Sequence, residues 1–215
     1  MKVCGNPDSG LLVIQALDAR ELELLEDEVK ALQSMGGALP LWAAFAVEDW
    51  NDALSPWLAP PVFGKHGFAG QAEKTLAYIK TTLIPELFTA YHLAEQTKIA
   101  LCGYSLSGLF ALWAGSQSER FNAVAGVSPS VWFPGYGNYE QAHPIRAEHV
   151  YLSLGDREEQ TKNRAMAAVG NEIRALYARL SERKVDCALE WNAGNHFCEP
   201  ELRVAKGVKW MIDSL

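Results

Sequence analysis

Six short, predominantly apolar runs, separated by stretches with helical periodicity, are the feature that most constrains the fold of this 215-residue chain. The runs have the length of β-strands, and they cover residues 11–14, 41–47, 99–102, 123–127, 150–154 and 185–191. Strands that alternate with helices predict a mostly parallel sheet with helices on both faces. We therefore expect a three-layer α/β fold that forms one domain over residues 1–215.

The segments between these runs contain the predicted helices. Apolar residues three or four positions apart predict helices over 22–32, 71–91 and 166–180, and a last one with Leu202, Ala205, Val208 and Ile212 on one side. The first of these helices is expected to stop at Gly36-Gly37. The second is expected to be kinked or broken at Pro85, because proline cannot donate a helical hydrogen bond. No strand is predicted before Leu11.

Two long segments, 48–70 and 128–143, lack this periodicity and are rich in Pro, Gly and aromatic residues. Loops of this length inside a compact domain usually have a functional reason. Since loops at the carboxyl ends of strands border the pocket in open α/β sheets, we expect Trp50, Trp57 and Trp132 to line a substrate pocket. The other aromatic candidates are Phe63, Phe68, Phe133 and Tyr136. Packing of these rings onto the sheet is the alternative interpretation.

Composition and charge disfavour several classes of function. The chain has 19 basic and 26 acidic side chains, a net charge of −7, and the charges are scattered. Nucleic acid and anionic membrane are therefore not expected as partners. No 18-residue apolar run exists, and the first residues lack the apolar core of a signal peptide. Four cysteines without metal-ligand spacing suggest a reduced, cytoplasmic protein with no metal or other cofactor. The oligomeric state stays open.

The sequence Gly103-Tyr104-Ser105-Leu106-Ser107-Gly108 lies between the third apolar run and a helical stretch. A serine in a sharp strand-to-helix turn is the arrangement of a nucleophile elbow, in which the residues two before and two after the serine must be small. Gly103 and Ser107 meet this requirement for Ser105, although glycine is usual at both places. For Ser107 the flanking residue Leu109 is too bulky. Ser105 is therefore the predicted nucleophile.

A serine hydroxyl needs a base, and in α/β-hydrolases the acid and then the histidine follow the serine along the chain. His196 lies in a loop between the last strand and the last helix, which makes it the preferred base over His143 and His149. The acid is expected in the turn after the preceding strand. Spacing from Gly155 favours Glu158, with Asp156 as the alternative and Glu159 third. A solvated acidic turn paired with Arg157 is the competing interpretation.

The oxyanion of the reaction needs preorganised N–H donors. One is expected to be the backbone N–H of Leu106, directly after the serine. The second is expected after the strand that neighbours the elbow strand, at Ala16 or Leu17, with Leu17 as the preferred donor. The side-chain amide of Gln15 could add to it.

The elbow, the turn Gly155–Glu159 and the segment Gly194-Asn195-His196-Phe197 together resemble the putative-esterase branch of the α/β-hydrolase superfamily, which includes esterase D-like and enterochelin-esterase-like enzymes. The run Ser-Leu-Ser-Gly-Leu-Phe-Ala-Leu, residues 105–112, is the most specific part of the resemblance. The resemblance implies an α/β-hydrolase fold, esterase chemistry, and catalytic roles for Ser105, Glu158 and His196. Because only about ten residues precede the first strong strand, we expect a minimal form of this fold without a separate cap domain.

The predicted function is that of a serine esterase that cleaves a small-molecule carboxylic ester through an acyl-enzyme. Two alternatives remain at this point. The same residues could transfer an acyl group or cleave an amide or thioester. The chain could also be a non-catalytic binding module on a hydrolase fold, because a fold does not by itself imply a function.

Overall fold

The computed structural model describes residues 1–36, 38–62 and 64–215. Gly37, at the predicted helix stop, and Phe63, an aromatic candidate for the pocket, lie outside the described residues. The helices of the described part are α1 (Leu24–Ser34), α2 (Trp50–Leu54), α3 (Ala72–Tyr78), α4 (Ile84–Ala90), α5 (Leu106–Gln117), α6 (Tyr136–Ala142), α7 (Arg164–Ala167), α8 (Val169–Glu182) and α9 (Pro200–Ser214). The strands are β1 (Lys2–Gly5), β2 (Leu11–Asp18), β3 (Leu41–Val47), β4 (Leu58–Ala59), β5 (Phe68–Ala69), β6 (Lys98–Tyr104), β7 (Ala123–Val127), β8 (His149–Gly155) and β9 (Asp186–Asn192).

The main sheet has seven strands in the order β1-β3-β2-β6-β7-β8-β9. Every neighbouring pair is parallel except β1 with β3. The predicted α/β fold with a mostly parallel sheet is confirmed. Because parallel strands end at the same edge, the residues that follow β6, β7, β8 and β9 come together there.

Two apolar clusters pack on opposite faces of the sheet. One includes buried side chains of α3, α4, α5 and α8, such as Leu76, Leu87 and Leu176. The other includes buried side chains of α1 and α9, such as Leu25 and Val208. Helices therefore cover both faces, as the three-layer prediction requires.

Strand β1 corrects the expectation that no strand precedes Leu11. Its four residues pair antiparallel with β3, from Lys2 opposite Ala44 to Gly5 opposite Leu41. The strand lies at the edge of the sheet and none of its residues is buried. Its sequence, Lys-Val-Cys-Gly, consequently lacks the apolar run by which a buried strand is recognised.

Short elements interrupt both predicted loops. The first contains α2 and the small hairpin of β4 and β5, and the second contains α6. The side chain of Asp49 caps α2 by accepting a hydrogen bond from the N–H of Asp52, at 3.1 Å. Elements of two to seven residues are too short to produce a clear periodicity. Within the described ranges, no separate cap domain covers the carboxyl edge of the sheet.

The helix predicted over 71–91 is present and is not broken at Pro85. A π-helical turn at Ile79–Leu83 joins α3 to α4, and Pro85 lies in the first turn of α4. The π-helical turn lies directly before Pro85, and such turns occur where the regular hydrogen-bond pattern of a helix is interrupted. The irregularity therefore takes the form of one wide turn rather than a break.

The buried face of α9 differs from the predicted one. Val204, Ala205, Val208 and Met211 are buried together with Arg203, whereas Leu202 and Ile212 are half-buried. A charged residue thus lies on the buried side of the last helix, four residues before Gly207 and eight before Met211.

Candidate active site

Ser105 lies in the turn between β6 and α5, with a backbone conformation that non-glycine residues rarely adopt. Its φ is 59° and its ψ is −121°. Hydrogen bonds hold this conformation: the Ser105 N–H donates to the carbonyl of Val127 at 3.0 Å, and the Ser105 carbonyl accepts from Ser130 N–H at 3.0 Å. Strain of this kind persists where the surroundings determine the conformation, and it is common at active sites.

The flanking residues explain how this elbow accommodates a serine in place of the usual second glycine. A Cβ atom on Gly103 would lie 2.3 Å from the backbone carbonyl carbon of Ser107, so only glycine fits at position 103. The Ser107 hydroxyl would also lie 2.5 Å from such a Cβ, and it donates to the carbonyl of Ala16, at 2.8 Å. Ser107 therefore ties the elbow to the end of β2 and is not exposed to a substrate.

His196 lies in the loop between β9 and α9 and contacts Ser105. Its Nε2 is 3.1 Å from Ser105 Oγ, and its Nδ1 is 2.7 Å from Glu158 Oε2. The backbone carbonyl of His196 accepts a hydrogen bond from the hydroxyl of Tyr104, at 2.5 Å. The imidazole is thus fixed between a serine and a carboxylate.

Glu158 follows β8 and is 8 % exposed. Its Oε1 accepts from Ser128 Oγ at 2.7 Å, from the N–H of Gly155 at 2.7 Å and from Arg203 Nη1 at 2.9 Å. Burial raises the pKa of this carboxyl, but the hydrogen bond and charge of His196 and the bonds from Ser128 and Gly155 outweigh burial, so the net pKa is below its ordinary value. Glu158 is therefore ionised at neutral pH.

An ionised Glu158 fixes the tautomer of His196. A carboxylate only accepts hydrogen bonds, so Nδ1 of the imidazole must carry the proton. The Nε2 of the neutral ring is then the acceptor, and it faces the hydroxyl of Ser105. The three side chains can pass a proton from serine to histidine.

The two other candidate acids have different partners. Asp156 Oδ1 accepts from the N–H of Gly194, at 2.8 Å, and lies 3.9 Å from Arg157 Nε. Glu159 pairs with Arg174 through contacts of 2.9 and 3.2 Å. Of the three carboxylates, Glu158 is therefore the one that the structure brings to His196.

A cavity of about 730 Å³ opens at Ser105. Its apolar lining comes from both long loops, from α7 and α8 and from the histidine loop: Trp50, Phe68, Trp132, Met166, Val169 and Phe197. Its polar lining includes Arg157, Gln160, Thr161 and Asn195 beside the serine and histidine. Such a volume suits a small organic molecule.

Two of the three predicted pocket tryptophans, Trp50 and Trp132, line this cavity. Trp57 differs from the expectation, because it lies outside the lining. Its Nε1 donates to the carbonyl of Pro134 at 2.9 Å, and its ring packs 5.0 Å from the ring of Tyr139. Trp57 therefore joins the two long loops.

Of the two predicted oxyanion donors, Leu106 lies at the cavity and Leu17 does not. Leu106 begins α5 and lines the cavity, and the first N–H groups of a helix have no intrahelical partner. Leu17 lies within β2, opposite Ala46 of β3, and does not line the cavity. The carbonyl of Ala16 faces the elbow. The N–H of Leu17 belongs to the same peptide unit and points in the opposite direction, toward the neighbouring strand β3. The Gln15 amide donates instead to Glu28.

Sequence reasoning missed Arg203, Ser128 and Tyr104. Ser128 follows β7 with a φ of 43°, and Tyr104 directly precedes the nucleophile candidate. For Arg203 the available signal was its spacing of four and eight residues from Gly207 and Met211 on the last helix. A charged residue on that stripe must have a buried partner.

Comparison with known families decides what kind of protein this is. Residues 47–196 match the sequence profile of the family described as "Esterase: Putative esterase". The chain belongs to this family. It is an ester hydrolase with an α/β fold, and the resemblance seen in its motifs is confirmed. Among curated proteins, none matches the sequence of this esterase.

Solved structures agree on the fold. An IroE-like serine hydrolase from Shewanella oneidensis superposes with a TM-score of 0.79 at 14 % identity, over 98 % of the esterase and 74 % of that chain. The BES protein from Bacillus cereus gives 0.72 at 20 % identity, over 97 % and 87 %. The siderophore hydrolase EstA from Aspergillus nidulans gives 0.71 at 18 % identity, over 96 % and 84 %. At identities this low, the superpositions show that the folds are alike and nothing more.

Within residues 1–36, 38–62 and 64–215, no group of three or more His, Cys, Asp or Glu side chains is arranged to hold a metal ion. In the same part of the esterase, no helix is long and apolar enough to cross a membrane.

Proposed function

We propose that this esterase cleaves small-molecule carboxylic esters through Ser105, His196 and Glu158. The observation that carries the proposal is the pair of hydrogen bonds from Ser105 to His196 and from His196 to Glu158, at 3.1 and 2.7 Å. Their geometry is that of a nucleophile, a base and an orienting acid.

The first half-reaction acylates Ser105. Its Oγ attacks the ester carbonyl while Nε2 of His196 takes the hydroxyl proton. Glu158 keeps Nδ1 protonated and stabilises the positive charge that the imidazole gains. The tetrahedral intermediate collapses when His196 returns its proton to the leaving alcohol, and the acyl group stays on Ser105.

The oxyanion of this intermediate is stabilised by backbone N–H groups. Leu106 supplies one from the start of α5, where the positive end of the helix dipole also favours negative charge. A second donor is proposed at the carboxyl end of β2. Loss of one such donor is expected to lower kcat by about 10²–10³-fold.

The second half-reaction releases the acid. Water takes the position of the departed alcohol, His196 accepts its proton, and the resulting hydroxide attacks the acyl-enzyme. The Ser105 oxygen is then protonated by His196 and leaves. No cofactor takes part in these steps.

Turnover of p-nitrophenyl esters with acyl chains of increasing length tests this proposal. The wild-type esterase should hydrolyse the series with a preference set by the apolar lining of the cavity. Ser105→Ala should reduce kcat by about 10⁵-fold or more, because the covalent intermediate cannot form. Correctly folded wild-type protein without turnover of any ester in the series would contradict the proposal and favour a binding module.

Product analysis in the same assay separates hydrolysis from acyl transfer. With an alcohol or amine added at millimolar concentration, an esterase should still give the free acid as its main product. Predominant transfer of the acyl group to the added acceptor would identify an acyltransferase that uses the same residues.

A further inference from the structure

Arg203 is the most deeply buried charged side chain near the proposed active site, with 2 % exposure. Its Nη1 donates to Glu158 Oε1 at 2.9 Å and to Ser128 Oγ at 3.2 Å. Its Nη2 donates to the backbone carbonyls of Ala193 and Asn195, both at 3.0 Å. One guanidinium therefore contacts the carboxylate and the loop that carries His196.

The position of Arg203 along α9 is unfavourable for a positive charge. Arg203 is the fourth residue of the helix, which begins at Pro200. The first turn of a helix carries the positive end of the dipole, so a cation there is disfavoured. Burial adds a desolvation cost that only good partners can offset. The contacts with Glu158 and the two carbonyls offset both.

We propose that Arg203 is a positioning residue, which holds the carboxylate of Glu158 and the loop of His196 in register so that both hydrogen bonds of the imidazole can form. The proposal rests on the function proposed above. The two carboxylate oxygens divide their partners: Oε2 accepts from His196 and Oε1 accepts from Arg203, Ser128 and Gly155. The orientation of the carboxyl plane is thereby fixed.

Arg203 and His196 contact different oxygens of the same carboxylate. A guanidinium that shares a carboxylate with an imidazole opposes the positive charge on that imidazole. Other titratable groups near them include Tyr104 on β6, Asp156 and Arg157 in the turn after β8, and Cys198, whose Sγ lies 3.5 Å from Asn195 Oδ1. Tyr104 donates to the carbonyl of His196, Asp156 accepts from Gly194, and Arg157 lies at the cavity.

Two substitutions separate charge from geometry. Arg203→Met keeps an unbranched apolar side chain but removes the charge and every donor. We expect kcat/KM to fall by about 10²-fold, as for a displaced catalytic group, and the acidic limb of its pH profile to move up by about one pH unit. Arg203→Lys keeps the charge but cannot reach the carboxylate and both carbonyls at once. Its acidic limb should stay at the wild-type position while kcat falls about tenfold.

A double-mutant cycle with Glu158→Gln tests whether Arg203 acts through Glu158. If it does, Glu158→Gln with Arg203→Met should be within about threefold of Glu158→Gln alone, because the positioned carboxylate is already gone. A general structural role would instead give a further loss of about 10²-fold, the same as in the wild type. The double variant removes both buried charges, so it should fold even if Arg203→Met alone does not.

Arg179→Met is the matched control. Arg179 also pairs with a buried carboxylate, Glu140, at 2.6 Å. It lies ten residues beyond the cavity-lining Val169 on α8, which is about 15 Å along the helix. Loss of this pair should lower the melting temperature and leave the pH profile in place.

The outcomes are distinguishable. The positioning role would be overturned if the pH dependence of kcat/KM for Arg203→Met coincided with that of the wild type. Additive losses in the double-mutant cycle would also overturn it. In both cases ester hydrolysis by Ser105 would stand. An absence of turnover in the wild-type esterase would overturn the proposed function itself.

Discussion

Two buried glutamates of this esterase have nearly the same exposure and opposite surroundings. Glu158, at the carboxyl edge of the sheet, is 8 % exposed, and Glu28, on α1, is 4 % exposed. Glu158 has hydrogen bonds from His196, Arg203, Ser128 and the backbone of Gly155. Glu28 accepts one hydrogen bond, from the side-chain amide of Gln15 at 2.9 Å, and its Oε2 has no partner among the described residues.

The partners decide the charge of each carboxyl group. Burial raises the pKa of Glu28 to about 8, because the single amide of Gln15 and the nearby carboxylates Glu201 and Glu21 offer no positive charge. At neutral pH Glu28 is therefore mainly protonated, whereas the pKa of Glu158 lies below its ordinary value. The comparison teaches that burial alone does not mark a catalytic acid. Glu28 is a structural group on α1, which packs on the same face of the sheet as α9, and it is held by Gln15, which in turn accepts from Trp42.

The largest expected effect is that of Glu158→Gln on catalysis. The amide no longer fixes the productive tautomer of His196, so kcat should fall by about 10³–10⁴-fold. Steady-state hydrolysis of a p-nitrophenyl ester measures this loss. Glu28→Gln is the matched control and should keep kcat within about twofold. Equal losses in the two variants would remove the distinction between the two carboxyl groups.

Glu158→Gln should also lower the free energy of unfolding. The substitution leaves Arg203 buried without its counter-charge, which should cost about 3 kcal/mol in the free energy of unfolding at pH 7. Since the pKa of Glu158 is lowered by folding, its contribution is present above the unfolded pKa and is lost as the pH falls through the folded pKa. Urea unfolding at several pH values should therefore show the two proteins converging in acid. A constant difference down to pH 3 would contradict the assignment.

Glu28→Gln should change stability in the opposite pH range. The folded pKa of about 8 is above the unfolded one, so the contribution of Glu28 is full below the unfolded pKa and is lost as the pH rises through about 8. The glutamine variant should match wild type at about pH 4 and exceed it by about 5 kcal/mol at pH 9, because one unit of pKa shift corresponds to about 1.4 kcal/mol. Thermal unfolding at the two pH values measures the effect. A variant less stable than wild type at pH 9 would show that Glu28 has a cationic partner in solution.

The smallest expected effect is that of Glu159→Gln. This carboxylate is next to Glu158 in sequence but pairs at the surface with Arg174. Exposed ion pairs contribute about 0–1 kcal/mol. Both kcat and the melting temperature should stay close to wild type. A loss of kcat comparable to that of Glu158→Gln would mean that the turn after β8 presents a different acid to His196 in solution.

The fold was largely predictable because apolar runs and helical periodicity report burial directly. The six parallel strands and the layers of helices follow from this signal, although β9, at the edge of the sheet, is only half-buried. Strand β1 escaped because an unburied edge strand has no apolar run, and the hairpin of β4 and β5 escaped because two residues define no period. At Pro85 the helix is irregular, as the rule about proline predicts, but the π-helical turn before it keeps the helix continuous.

The site was predictable only where chemistry requires particular residue types. Ser105 needs small flanks and a strand-to-helix turn, and His196 needs a loop at the same edge, so both could be chosen by position. The spacing favoured Glu158, but its hydrogen bonds with Arg203 and Ser128 depend on three-dimensional contacts across β7, β8 and α9. Trp57 illustrates the same limit, because its indole could either face the cavity or bind Pro134, and sequence does not distinguish these orientations.

The most direct test of the central claim is labelling of the wild-type esterase with a fluorophosphonate, followed by mass spectrometry of the intact protein and its peptides. We predict one adduct per chain, located on Ser105, absent from Ser105→Ala and retained in Ser107→Ala, whose hydroxyl binds Ala16. Ester hydrolysis should disappear in step with labelling. An adduct on Ser107, or hydrolysis that survives complete loss of the Ser105 hydroxyl, would contradict the account.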